Sequence, residues 1–203
     1  MNTPIVVTTC DSYDWLLPGF ADRFNKWWSI EQPVTVLCYR QPPELPSNFS
    51  PFLVPSENKF YSAMLRVWLT AHPSAERVLL MLDDYYLNRP VCVDVITYFD
   101  LMMSRDEGIA KFHLDNAVQN QEHEDRSYPL VEMKQTARYR SSLQAAIWQT
   151  SYLAKLCVAD RTPWQFELDG EKECMNDRMS VMGSRHPPMH YDNVMKNGDY
   201  VGK

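Results

Sequence analysis

Residues 78–87, VLLMLDDYYL, limit the possible folds of this chain more than any other stretch. Val78 to Leu82 is an unbroken apolar run that ends on Asp83 and Asp84. A strand with one face in water would alternate polar and apolar residues. An unbroken run is expected of a parallel-type strand covered on both faces. Open α/β sheets bind ligands outside the carboxyl ends of such strands, where this run delivers two acids. Two carboxylates there suit a divalent cation, most often one carrying a phosphate. The same pair also fits an N-cap Asp and its solvated neighbour opening a helix, and spacing alone leaves both readings open.

The flanking segments alternate in the same sense. Ile5 to Thr9 is a β-branched run, Cys10 to Tyr13 a loop, and Trp15 to Trp28 has helical spacing. Val34 to Tyr39 is the next strand. A Pro- and Ser-rich connector with a short strand at Phe52 to Val54 leads to a helix over Lys59 to Ala71, which ends near His72-Pro73. After Val78 to Leu82, a helix over Val91 to Met103 is expected to open near Asn88-Arg89-Pro90. This order defines an α/β protein with a mixed, mostly parallel sheet flanked by helices.

Beyond residue 104 the expectations are a strand at Ala110 to Leu114, a polar loop at Gln119 to Ser127 and a strand over Val131 to Arg138. Ser142 to Cys157 reads as a helix on Leu143, Ile147, Leu153 and Leu156. A turn at Arg161-Thr162-Pro163 is followed by a helix over Glu171 to Arg178, and the stretch from His190 by a short strand, a turn at Asn197-Gly198-Asp199 and a frayed end.

The 203 residues, 45% of them apolar, suit a single domain, with its core over about residues 1–170 and a C-terminal segment, partly flexible, over 171–203. A net charge of −6 argues against a broad contact with nucleic-acid phosphates. The 5 cysteines include no CxxC pair, so neither a disulfide framework nor a zinc knuckle is expected, and a reducing cytoplasm fits best. No stretch approaches the roughly 18 apolar residues of a membrane span, and the start lacks a signal-peptide pattern. There is no GxxxxGK[ST], GxGxxG or GxSxG motif, and only 6 glycines occur. A bound nucleotide would therefore be held by strand ends, side chains and a cation rather than by a glycine-rich cradle.

In an open α/β sheet the loop after the first strand meets the nucleoside, which makes Thr8, Thr9, Asp11 and Tyr13 candidates, although Asp11 also fits a helix N-cap. Three blocks carry a resemblance: IVVTTCDSYDWLLPGFADRFNKWW, VLLMLDDYYLNRPVCVDVI and YRSSLQAAIWQTSYLAKLCVADRTPWQFE. In order and spacing they are similar to a bacterial and phage family of small glycosyltransferase-like proteins with a GT-A fold, over most of the chain to about residue 170. The resemblance implies a nucleotide-sugar donor, a saccharide or other hydroxyl acceptor, and Mg²⁺ or Mn²⁺ at the diphosphate. Asp83 and Asp84 take the place of the D-x-D motif. Leu82 before them and Tyr85 after them break the strict triplet, so metal dependence is separable from donor binding.

Asp84 is expected to act in catalysis through the cation, and Arg140 and Gln144, at an expected helix start, to meet phosphate or sugar hydroxyls. Glu167 is the candidate base for the acceptor hydroxyl, and Trp164 a flat surface under the acceptor. Asp11, Asp83 and Glu167 are expected to line one cleft. His186 and His190 are weaker metal candidates, because Pro187 and Pro188 exclude a helix that would align them. Three alternatives remain. One is a nucleotidyltransferase. Another is a noncatalytic nucleotide-sugar or carbohydrate-binding protein. The third is a phage enzyme glycosylating modified DNA bases, which would need a basic groove from residues such as Arg138, Arg140, Arg161 and Arg178.

Overall fold

In the computed structural model, which describes residues 3–157, 161–196 and 198–202, the run that ends on the two acids is a central strand. Strand β1 (Ile5–Thr8) lies parallel to β4 (Arg77–Leu82), pairing Ile5 with Leu79 and Thr8 with Leu82. On its other side β1 pairs with β2 (Val34–Cys38), which pairs with β3 (Phe49–Leu53), both in parallel. β6 (Ile109–His113) and β10 (Ser180–Ser184) continue the sheet as a parallel pair, and β9 (Ala146–Gln149) runs antiparallel between β4 and β6. β8 (Leu130–Met133) and β7 (His123–Asp125) close the far edge, giving the order β3-β2-β1-β4-β9-β6-β10-β8-β7.

Strand periodicity assigns the helices to the two faces. Ile5, Val7, Leu79 and Met81 pack with Leu17, Phe20 and Phe24 of α1 (Leu17–Trp27) and with Ile96, Phe99 and Met103 of α3 (Val93–Arg105). Val6, Val78 and Leu80 point the other way. They meet Met64 and Trp68 of α2 (Tyr61–Ala71), Leu153 and Leu156 of α4 (Thr150–Leu156) and Phe166 of α5 (Pro163–Cys174). The result is one α/β domain of GT-A type with a mixed, mostly parallel sheet.

Beyond the sheet, β5 (Tyr85–Leu87) pairs antiparallel with β11 (Tyr191–Asn193), and β12 (Met195–Lys196) pairs with β13 (Asp199–Tyr200). The backbone N–H of Val194 donates to the carbonyl of Asp84 at 2.9 Å, which ties this C-terminal ribbon to the strand carrying the acids. Tyr86 of β5 lies over Gly19 in α1, where a Cβ would collide with the phenol ring.

The main correction concerns 142–157. The expected helix is a strand, β9, followed by the shorter α4. Ala146 to Gln149 is buried throughout between two strands, so its apolar run satisfies a sheet interior, and tertiary pairing overrides the helical spacing. The expected loop at 119–127 contains the edge strand β7, and the strand expected over 131–138 ends at Met133. The helix expected at 171–178 instead begins at Pro163 and ends at Cys174. Residues beyond 170 supply β10 to the sheet interior.

Candidate functional site

The chain order of the strands reverses beside β1, where β2 and β3 lie to one side and β4 to the other. This is the switch point at which an open sheet leaves a crevice. Because β9 runs antiparallel, its start lies beside the ends of its neighbours. The pairings Thr8 with Leu82, Leu80 with Ala146 and His113 with Ala146 therefore bring Thr9, Asp83, Gln144 and Asp115 to one edge. Neighbouring strands are about 4.8 Å apart, so β4 and β6, with β9 between them, lie roughly 10 Å apart at this edge.

Asp83 and Asp84 form the two-residue turn between β4 and β5. No helix starts there, which removes the N-cap reading. Asp83 is 6% exposed and its Oδ2 accepts from Thr9 Oγ1 at 2.5 Å. Burial pushes its carboxyl up to about 7, with the Thr9 hydroxyl opposing the rise. Burial likewise pushes Asp84 up to about 6. Its Oδ1 is buried without a hydrogen-bond partner among the described residues. With Thr8, Thr9, Tyr13 and Tyr61, the two acids line a largely apolar pocket of about 380 Å³. Among the described residues no third acid, histidine or cysteine joins them in a metal-binding group. A buried and a half-buried carboxylate, one oxygen of which lacks a partner among the described residues, still fit a hard cation that takes its other ligands from substrate and water.

Glu167 stands in a neighbouring pocket of about 360 Å³ with His113, Asp115, Asn116, Tyr139 and Gln144. Its place is fixed by the start of α5, where Thr162 and Gln165 form a capping box around Pro163. Glu167 Oε1 accepts from the Leu143 N–H at 2.6 Å, and burial raises its pKa against that bond and the nearby Lys111. Buried Tyr85 lies within electrostatic reach of both Asp84 and Glu167. Desolvation first, then Asp84 and Glu167, push its phenol well above the ordinary value.

The remaining expected site residues separate. Asp83 and Glu167 line different pockets rather than one cleft. Asp11 is exposed at the rim, 3.9 Å from Arg40, whose guanidinium also pairs with Asp14 at 2.6 Å. Trp164 is 75% exposed on the surface of α5, beside Pro163 at the mouth of the first pocket. Arg140 corrects the expectation outright. It is 0% exposed, and its guanidinium donates to the carbonyls of Cys174, Met133, Lys134 and Met179 and to Asp177, so no donor group is left for a substrate. Arg161 pairs with Glu173 at 2.5 Å and Arg138 with Glu171 at 3.6 Å, while Arg178 is exposed. His186 bonds the Tyr128 hydroxyl at 2.5 Å.

One cluster was not foreseen. Tyr191 Oη lies 2.7 Å from Asp115 Oδ2 and 2.6 Å from Gln144 Oε1, and it accepts from the Ala145 N–H at 3.2 Å. Tyr85 stacks on the Tyr191 ring with centroids 4.5 Å apart. The signal was present in the sequence: IAKFHLD, like VLLMLDD, is a strand segment that ends on an acid.

No protein-family model matches the sequence, and the search of curated proteins finds no relative. Solved structures do share the fold. A cytidylyltransferase from Leptospira borgpetersenii serovar Hardjo-bovis superposes with a TM-score of 0.52 at 14% identity over 92% of this chain and 78% of that one. Residues 1–349 of S. aureus TarS give 0.50 at 14% over 94% of this chain, and a longer TarS chain gives 0.51 at 14% over 93%. This chain spans 59% and 36% of those two TarS chains. At such identity the likeness establishes the fold.

Proposed function

We propose that the protein is a glycosyltransferase that takes a nucleotide-sugar donor at the β1/β4 crevice and transfers the sugar to a hydroxyl acceptor. The observation that carries this reading is the Asp83–Asp84 pair at the switch point, Asp83 buried and Asp84 half-buried, with Asp84 Oδ1 left without a partner among the described residues. Mg²⁺ or Mn²⁺ held there by the two carboxylates would neutralise charge on the diphosphate. Tyr13 and Tyr61 offer aromatic walls to the nucleoside, and Thr8 and Thr9 lie at the strand end beneath it. Glu167, its carboxylate fixed by the Leu143 N–H, takes the proton from the acceptor hydroxyl. Trp164 stays a candidate platform outside the pocket.

Nucleotidyl transfer is the second reading, favoured by the likeness to a cytidylyltransferase. Charge favours the first. A triphosphate brings more negative charge than a diphosphate, yet the loop after β1 carries Asp11 and Asp14, and Arg40 beside it is paired with both. Thermal-shift screening of nucleoside triphosphates, diphosphates and diphosphate sugars, with and without Mn²⁺, tests the binding, and ³¹P NMR of turnover separates the chemistries. Release of a nucleoside diphosphate supports glycosyl transfer. Pyrophosphate release overturns it in favour of the second reading, and the absence of any nucleotide-induced shift counts against both.

A further inference from the structure

The geometry points to the pocket at the end of β6 and the start of β9 as the acceptor site, one that selects a neutral or amine-bearing polyol and rejects an anionic one. Naming the occupant an acceptor rests on the function proposed above, whereas the charge selection follows from the pocket lining alone. Asp115 and Glu167 both line this pocket. The cations behind it are spent: Lys111 is 0% exposed with Nζ 2.5 Å from the Ser142 carbonyl, and Arg140 donates to five acceptors. Among the described residues, no lysine or arginine lines it. Arg89 lines the next cavity, which shares Asp115, Asn116 and Gln144 with this one, so an anionic ligand seated here would meet two carboxylates before any cation on the lining, and like charges brought together out of water oppose binding.

The other polar groups suit hydroxyls. His113 is 1% exposed and lines the pocket, and neither of its ring nitrogens has a hydrogen-bond partner among the described residues. Its nearest acid, Asp115, is 3.6 Å from Nδ1, too long for a hydrogen bond. Burial and the neighbouring Lys111 push the imidazole down to about 4, so it is neutral near pH 7. A neutral imidazole carries one donor and one acceptor, the same complement as a hydroxyl group. Burial works against ionisation of Asp115, but the Tyr191 hydroxyl and the Ala117 N–H, both within hydrogen-bond distance, hold its pKa below the ordinary value. Asp115 thus accepts from a hydroxyl or an ammonium, while the Gln144 and Asn116 amides offer both donors and acceptors.

The test uses the whole protein without nucleotide. ¹⁵N-histidine-labelled protein is titrated with methyl glucoside, glucosamine, glucuronate and glucose 6-phosphate while the His113 imidazole signals are followed by NMR. The neutral and amino sugars are expected to move these signals, with both anions at least about tenfold weaker. Asn120→Lys, at an exposed position lining the same pocket, is expected to strengthen glucuronate binding while leaving methyl glucoside unchanged. Equal or tighter binding of either anion by the unaltered protein overturns the inference, as does the failure of every neutral or amino sugar to move His113. If sugars bind as expected but no nucleotide shifts the melting temperature, the selectivity stands and the donor reading falls. If nucleotides bind but anions enter this pocket freely, the reverse holds.

Discussion

Arg140 and the Asp83–Asp84 pair are both ionisable groups taken out of water, and the protein treats them oppositely. The guanidinium reaches five acceptors contributed by the end of β8, the end of α5 and the segment leading into β10. Asp83 accepts from one hydroxyl, that of Thr9, and an Asp84 oxygen has no partner among the described residues. A buried charge that is fully partnered holds chain segments together. One left short of partners, in a crevice at strand ends, is arranged for something that arrives from outside. Depth of burial is therefore a poor guide to role, and the count of satisfied partners is a better one.

The comparison can be broken at its structural end first. Arg140→Leu strands several carbonyls and Asp177, so urea denaturation should show a loss of about 3–5 kcal/mol; a loss below about 1 kcal/mol would refute the clamp. At the functional end, Glu167→Gln keeps an acceptor for the Leu143 N–H but cannot take a proton. It should lower kcat by about 10²–10⁴-fold with the donor KM little changed, and a fall in donor affinity alone would remove Glu167 from the chemistry.

Asp84→Asn should abolish the Mn²⁺-dependent thermal shift yet leave the ligand-free protein equally or more stable at pH 8, by up to about 1–3 kcal/mol, because it removes a desolvated charge. Marked destabilisation instead would place Asp84 with Arg140 as a structural group. The pH dependence sharpens the same point. Asp83 and Asp84 have folded pKa values of about 7 and about 6, above the unfolded value near ~3.9. Their contribution to the stability of the ligand-free protein is therefore fully present below the unfolded value and is lost as pH rises through 6 to 7. Cations compete with those protons, so the Mn²⁺-induced shift should grow across the same window, and a flat profile would show that the carboxylates do not bind the ion. The smallest effect belongs to Trp164→Ala, which should change stability by no more than about 0.5 kcal/mol because the side chain lies in solvent. Acceptor KM then reports whether that surface is used.

Much of the first half was legible because each segment there obeys one period. Val78 to Leu82, Ile5 to Thr8 and the Leu17, Phe20 and Phe24 stripe behave as their patterns require, and Asp83 and Asp84 follow from where the strand stops. The second half was less legible because its apolar runs are ambiguous. Ala145 to Trp148 fits a helix face and a doubly covered strand equally well, and only its insertion between β4 and β6 decides. Misreading that segment placed Arg140 and Gln144 together at a helix start. In the fold, Arg140 is packed inside and Gln144 lies at the pocket edge. The α5 start was readable from Thr162-Pro163 with Gln165 three residues past the cap, a signal outweighed by the weak apolar spacing further on. Distances between strand ends, and hence the division into two pockets, depend on strand order, which local sequence does not encode.

The reversed strand β9 leaves the molecule with two independent handles on its chemistry. Thr9 and Asp83 follow strands that run toward the crevice, whereas Gln144 comes from the connection that feeds β9 in the opposite direction. Changing Tyr139 and Gln144 on that connection, with Arg140 kept, would reshape the second pocket while leaving the β1 and β4 termini in register. Under the proposed transfer, the group received and the group delivered could thus be re-specified separately, and a library at those two positions is the economical place to look for new acceptors.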